Sequence, residues 1–198
     1  MKIDFRRNLP HMYREDAIYS ITYRLAGSIP RNLIKEYLVS KKRLLNENRP
    51  LEAKSLFYDE LDQYLDHEKN GPMFLESSEA KKIVASSILF FEGKCFQVIC
   101  YCIMSNHVHL IINTLHFPNK PLGDFLGSIK KYSAKHINNH LGCKGTFWQS
   151  ESYDHVIRSR NELAETISYV INNPVKAGCC DDWKSWPGTY VDERYLEI

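Results

Sequence analysis

Two histidines one residue apart open an apolar run, His107-Val108-His109-Leu110-Ile111-Ile112, that reads as a β-strand. Side chains alternate across a strand, so His107 and His109 share one face while Val108 and Leu110 take the other. Two neutral imidazoles side by side on a rigid strand can bind one metal ion through a ring nitrogen each. A bare His-x-His is more often inert than functional, so its weight depends on what else the chain carries. A second chemical group lies at Tyr169. Ser159-Arg160-Asn161-Glu162 has the form of a capping box and starts a helix whose apolar stripe is Leu163, Ile167, Val170 and Ile171. At 3.6 residues per turn Tyr169 lies roughly 160° from the middle of that stripe, with Asn173 four residues on beside it. A tyrosine serving only to pack belongs on the stripe. Tyrosine oxygen is a poor nucleophile near its ordinary pKa of about 10, so this one needs an activated electrophile or a nearby metal. The histidine pair would supply that metal, and Asn173 a neighbouring metal or water ligand.

The elements that must position these groups follow from periodicity. Ala17 to Leu25 alternates Tyr19, Ile21, Tyr23 and Leu25 against Ser20, Thr22 and Arg24, a half-buried first strand ended by Gly27 and Pro30. Residues 31 to about 47 are predicted as a basic helix. Leu51 to Asp66 follows as an acidic helix, with Phe57, Leu61 and Leu65 at spacings of four, and Ser78 to about Glu92 as a further one. Phe96 to Met104 is continuously apolar and is expected to be a central strand buried on both faces. Ser105-Asn106 is a corner too short for anything but an antiparallel hairpin into His107–Asn113. Leu122 to Leu141 is helical, Ser152 to Arg158 a short strand, and the Tyr169 helix is expected to end before Pro174. The order strand, helices, strand, strand, helix, strand, helix predicts an α+β fold: a ferredoxin-like split βαβ antiparallel sheet, with helices on one face. Residues 1–198 read as one domain with a helical insertion at about 51–92 between the first and second strands.

Composition excludes more than it selects. With 43% hydrophobic and 25% charged residues over 198 positions, the chain has the means to bury a sizeable core. Met1-Lys2-Ile3-Asp4-Phe5-Arg6-Arg7 lacks the apolar region of a secretory signal, and Ile88-Leu89-Phe90-Phe91 is far too short to span a bilayer. A soluble, cytoplasmic protein with no membrane partner is expected. The six cysteines include no Cys-x-x-Cys pair and read as reduced, mostly buried thiols. Net charge is only +2, but it is unevenly spread. Residues 57–82 hold Asp59, Glu60, Asp62, Asp66, Glu68, Glu76 and Glu79 against three lysines; residues 120–160 hold Lys120, Lys130, Lys131, Lys135, Lys144, Arg158 and Arg160 against three acids. Basic side chains around the aromatic Phe147-Trp148 suit single-stranded nucleic acid, through phosphate pairing and base stacking. Lys130, Lys131, Lys135, Trp148, Arg158 and Arg160 are the candidate DNA contacts, although a plain solvated face would carry the same charge pattern.

The segments named so far are similar, in order, to a known family. Met104-Ser105-Asn106-His107-Val108-His109-Leu110 resembles the histidine–hydrophobic–histidine motif of single-tyrosine HUH transposases. Phe147-Trp148-Gln149, Tyr153 to Arg158 and Tyr169 to Gly178 resemble the closing blocks of the REP-associated tyrosine transposase branch, and Tyr19 to Ser28 has that branch's look. The resemblance implies a metal-dependent single-strand DNA endonuclease and strand transferase acting on single-stranded or hairpin-flanked DNA. It implies that His107 and His109, with Asn173 as a further ligand, hold Mg²⁺ or Mn²⁺ against the scissile phosphate. Tyr169 would take the 5′-phosphate and release a 3′-hydroxyl, and the phosphotyrosine bond conserves energy, so no nucleotide cofactor is needed. Some relatives form a homodimer in which one subunit's tyrosine serves the other's histidines. Ser105 stands where the family more usually has proline, the family gives no role for residues 51–92, and His155 reads as fold support.

Two other readings compete. A domesticated DNA-binding protein could act on repeated palindromic hairpins without transposition. A metal hydrolase could use His107, His109 and an acid such as Asp154, but no carboxylate lies on the histidine strand.

Overall fold

The computed structural model of the protein describes residues 2–4, 11–13, 16–49, 60, 62–67, 71–115 and 122–196. The strands are β1 (Lys2–Asp4), β2 (His11–Tyr13), β3 (Ile18–Arg24), β4 (Gln97–Ile103), β5 (His107–Asn113), β6 (Tyr153–Ile157) and β7 (Thr189–Val191). The helices are α1 (Arg31–Asn46), α2 (Gln63–His67), α3 (Ser78–Leu89), α4 (Leu122–Leu141) and α5 (Arg160–Lys176). Five strands form one antiparallel sheet in the order β6-β3-β5-β4-β7, and β1 pairs with β2 separately. The four strands expected from periodicity stand as β6-β3-β5-β4, the ferredoxin-like order.

Alternation in β3 sets the sheet. Tyr19, Ile21 and Tyr23 are fully buried on the face covered by α3 and α4, against Ala80, Val84 and Ile88 and against Phe125, Leu126 and Ile129. Register carries the pattern across: Ile21 pairs with Leu110, Thr22 with His109 and Arg24 with His107. His107 and His109 therefore share the opposite face with Ser20 and Thr22.

Helices cover both faces, not one as expected. α5 lies on the histidine face, where Leu163, Ile167, Val170 and Ile171 pack with Cys100, Cys102 and Ile111. Burying each of those side chains contributes roughly 1.5–3 kcal/mol. The reason was already present in β4 and β5, whose runs are apolar at consecutive positions and so need two covering layers.

α5 also runs through Pro174 to Lys176. A proline removes one i→i−4 bond, but here both Asn173 and Pro174 are buried, and the turn still closes with Ala177 N–H donating to Asn173 O at 2.9 Å and Cys179 N–H to Pro174 O at 2.8 Å. Tertiary packing overrides the local bias, and Tyr169 and Asn173 stay one helical turn apart.

The acidic helix expected over residues 51–66 lies largely outside the described residues; its described end is α2 with Asp62 immediately before it. The chain leaves this segment at Gly71, whose φ of +102° favours glycine and where a Cβ would sit 3.2 Å from the Gly27 carbonyl oxygen. That close approach ties the insertion's exit to the end of β3. β7 had no expected counterpart. It adds to the β4 edge through Gly188, where any side chain would collide with the Ile103 carbonyl oxygen.

Cys95, Cys100 and Cys102 are buried free thiols, whereas Cys143 and Cys179 are exposed. Among the described residues no helix is long and apolar enough to cross a membrane.

Candidate metal centre and active site

The Ser105-Asn106 corner orients the first imidazole. Met104 N–H donates to His107 O at 2.9 Å, closing the hairpin, and Asn106 Oδ1 lies 2.6 Å from His107 Nδ1. An amide oxygen only accepts, so His107 Nδ1 donates to it and Nε2 is turned into the site. Thr22 Oγ1 holds His109 Nδ1 at 3.0 Å from the neighbouring strand, which turns His109 Nε2 inward. The two Nε2 atoms face each other at 2.9 Å, and both rings are buried.

α5 closes the site from above in the same chain. Asn173 is fully buried with Nδ2 3.3 Å from His109 Nε2, and the Tyr169 ring meets the His109 ring edge-on at 5.8 Å. Lys176 Nζ lies 4.4 Å from the centre of the Tyr169 ring.

The remaining wall comes from the acidic segment between β3 and α3, and it holds two candidate site residues that sequence reasoning missed. Tyr169 Oη donates to Asp62 Oδ2 at 2.7 Å and reaches Asp66 Oδ2 at 3.4 Å. Asp66 Oδ2 also accepts from Asn173 Nδ2 at 2.9 Å, and Asp66 Oδ1 is 3.3 Å from His107 Nε2. Asp62 Oδ1 is 3.9 Å from His109 Nε2. Asn106 fastens the segment by donating from Nδ2 to Leu65 O at 3.3 Å. A signal for these residues was present: Asp62 and Asp66 are four apart, on one helical face, within the acidic stretch 57–82.

The site collects buried oxygen acceptors. Asp62 Oδ1, Asp66 Oδ1 and Asn173 Oδ1 are buried without a hydrogen-bond partner among the described residues, and the two facing imidazole Nε2 atoms lie among them. Orphaned buried oxygens are costly unless a cation satisfies them. Asp62, His107 and His109 place one ligand atom each within 4.8 Å of one another. Nitrogen and carboxylate oxygen together suit a divalent ion of intermediate or hard character, and adjacent octahedral ligands with bonds of ~2.1 Å stand about 3.0 Å apart, close to the Nε2 separation. The residues present fit such an ion.

Electrostatics agrees with that inventory. Burial pushes Asp62 up to about 7, with the pull of His107 opposing and Asp66 assisting. Burial and then the charge of His107 push His109 down to about 3, so its ring stays neutral and able to coordinate. Burial alone would raise Asp66, but the hydrogen bond and charge of His107 hold it below the ordinary carboxylate range. Burial and the two carboxylates push the Tyr169 phenol far up, so it keeps its proton until a cation offsets the local negative charge.

The profile of the family described as transposase IS200 like matches residues 75–173, half of the chain. The chain belongs to the IS200-like transposase family. The match ends at Asn173 and covers both histidines and Tyr169, while Asp62 and Asp66 lie before it. A Haemophilus influenzae protein, provisionally described as a REP-associated tyrosine transposase, is 26% identical over 100 residues. That stretch is 46% of this chain, and the chain spans only 57% of that relative's length. The solved structure of a REP-associated tyrosine transposase bound to a REP hairpin superposes with a TM-score of 0.53 at 17% identity, covering 92% of this chain and 81% of the other. That likeness shows that this transposase-family chain shares the fold.

The expected DNA contacts are placed less uniformly than the site. Trp148 is 5% exposed, donates from Nε1 to Ser133 Oγ at 2.9 Å and packs edge-on against Tyr23 at 4.9 Å. With Phe147 also buried, this is a core ring with no face open for stacking, a correction to the expected aromatic surface. Lys130, Lys131 and Lys135 lie on α4, across the sheet from the histidines, and Lys130 Nζ is held near the carbonyls of Gln149, Ser150 and Glu151. Arg158 and Arg160 are exposed where β6 runs into α5. His155 meets Glu162 at 2.6 Å and braces the start of α5. Asp154 pairs with Ile21, so it projects from the face opposite His109 and cannot join the histidines; the hydrolase arrangement built on it fails.

Proposed function

We propose that the protein nicks and rejoins single-stranded, hairpin-flanked DNA, with Tyr169 as the nucleophile and a Mg²⁺ or Mn²⁺ ion as cofactor. His107 Nε2, His109 Nε2 and Asp62 Oδ1 would hold the ion, with Asp66 Oδ1 and Asn173 Oδ1 completing the set. When bound, the ion neutralises charge on the scissile phosphate and polarises its P–O bonds. The chain's own residues do the rest. The hydrogen bond to Asp62 Oδ2 aims the phenol oxygen and offers the group that takes its proton. The phenol oxygen attacks phosphorus, the P–O3′ bond breaks, and the departing 3′ oxygen takes a proton from water. The product is a 5′-phosphotyrosine with a free 3′-hydroxyl, and attack by a 3′-hydroxyl of another strand reverses the step. Arg158, Arg160 and the α4 lysines would draw in the phosphate backbone through long-range attraction.

The observation that carries this reading is the presence of Tyr169 Oη in the same buried cluster as the two inward-facing Nε2 atoms. The test is incubation with hairpin-bearing single-stranded DNA and Mn²⁺, resolved on a denaturing gel. A covalent protein–DNA adduct that disappears in Tyr169→Phe is expected. Cleavage that survives Tyr169→Phe would remove the tyrosine from the mechanism.

A further inference from the structure

Beside the catalytic cluster lies a cavity of about 420 Å³ that shares a wall with it: Asp66 and Asn106, both in contact with His107, line the cavity as well. Its far side holds a cation that the mechanism does not use. Lys81, on α3, is only 4% exposed, yet no carboxylate lies within ion-pair distance of it among the described residues. Its Nζ donates to one backbone carbonyl, Glu76 O at 2.9 Å, and lies 4.4 Å from the centre of the Trp186 ring. An ammonium carries three donors, and holding one out of water with a single carbonyl and a ring is unfavourable unless an anion joins it. The Glu76 side chain, although it also lines the cavity, is exposed to solvent and so strongly screened. Trp186 is fixed by donating from Nε1 to Ile103 O at 3.0 Å, and Met73 and Met104 supply apolar wall.

Resting on the DNA-processing reading above, we propose that this cavity seats the nucleotide next to the scissile phosphate, with its phosphate on Lys81 Nζ and its sugar and base against Met73, Met104 and Trp186. The volume falls in the range of pockets that enclose small ligands of this size. Asp66, which Tyr169 Oη reaches at 3.4 Å, lines the cavity too and so sets it next to the Tyr169 site. A mixed pocket, with the Lys81 cation and a methionine and tryptophan wall beside Asp66, Glu76 and Asn106, suits a nucleotide better than free phosphate, which would leave the methionine and tryptophan surface uncovered. The subsite orients the strand for attack without touching the phosphoryl group being transferred.

The test uses the full chain carrying Tyr169→Phe, so that binding is read without chemistry, and a short oligodeoxythymidylate containing 5-iododeoxyuridine. Lys81→Met is expected to weaken binding roughly tenfold and to lower the slope of log affinity against log salt by about 0.7, the share of one phosphate on a single strand. Lys81→Arg restores most of both. Irradiation of the protein with Lys81 intact is expected to cross-link the strand to Trp186, Met73 or Met104, which decides the matter even if Lys81→Met does not fold. Unchanged affinity and salt slope in a folded Lys81→Met protein, or cross-links confined to other surfaces, would overturn the proposal. A protein that forms no phosphotyrosine adduct yet passes these tests loses the strand-transfer reading and keeps DNA in the cavity. One that forms the adduct and fails them loses only this subsite.

Discussion

The candidate site is assembled from two regions of different character. One is the sheet-and-helix frame, where His107 and His109 sit on a strand buried up to its last residue and Tyr169 and Asn173 on a helix packed across it. The other is the short acidic segment at 62–66, which reaches the site from outside the family-matched stretch and contributes only carboxylates. In the proposed reaction the frame fixes where the metal and the nucleophile would stand. The segment decides their charge, because without Asp62 and Asp66 two imidazoles, an amide and a phenol would meet with no anion among them. The charge of the site thus comes from a segment that precedes the family-matched stretch.

The sharpest way to break this comparison is to remove one group from each side. Tyr169→Phe deletes the proposed nucleophile from the frame and is expected to abolish adduct formation, at least ~10³-fold, while binding of single-stranded DNA persists; the gel assay and fluorescence anisotropy read the two separately. Asp62→Asn removes the proposed proton acceptor from the segment and is expected to slow adduct formation by ~10²–10⁴-fold. If Asp62→Asn leaves single-turnover rates unchanged, the segment merely packs against the site. Asp66→Asn keeps the side-chain volume but loses the anion beside His107, and Mn²⁺ affinity measured by titration calorimetry should fall roughly 10–100-fold. Trp148→Phe sharpens the contrast from the far side of the sheet. Losing the bond to Ser133 should cost about 1–3 kcal/mol in denaturant unfolding with DNA affinity unchanged, whereas a loss of DNA affinity without a loss of stability would return Trp148 to the surface role first expected of it.

The two regions also differ in how far the sequence revealed them. Strict alternation in Tyr19 to Leu25 and the capping box at Ser159 located β3 and α5, because each element's period reports directly on the face it buries. The shared face of His107 and His109 followed from strand geometry alone. The second helical layer did not, although consecutive apolar residues in β4 and β5 required it, and Pro174 was given more authority over the helix than its packed surroundings allow. Asp62 and Asp66 looked like solvated acids because local pattern cannot show which long-range partner an acidic turn meets; Asp66 lies 107 positions from Asn173 along the chain. Phe147-Trp148 failed the other way, since a ring beside lysines in sequence can still point into a core.

Tyr169 and the histidine pair belong to one polypeptide and lie in contact within it. For the proposed reaction this makes the first step kinetically first order in the protein–DNA complex. Once DNA is saturating, the rate per molecule should stay constant on dilution, and a lone copy at a single hairpin should be as competent as a crowd.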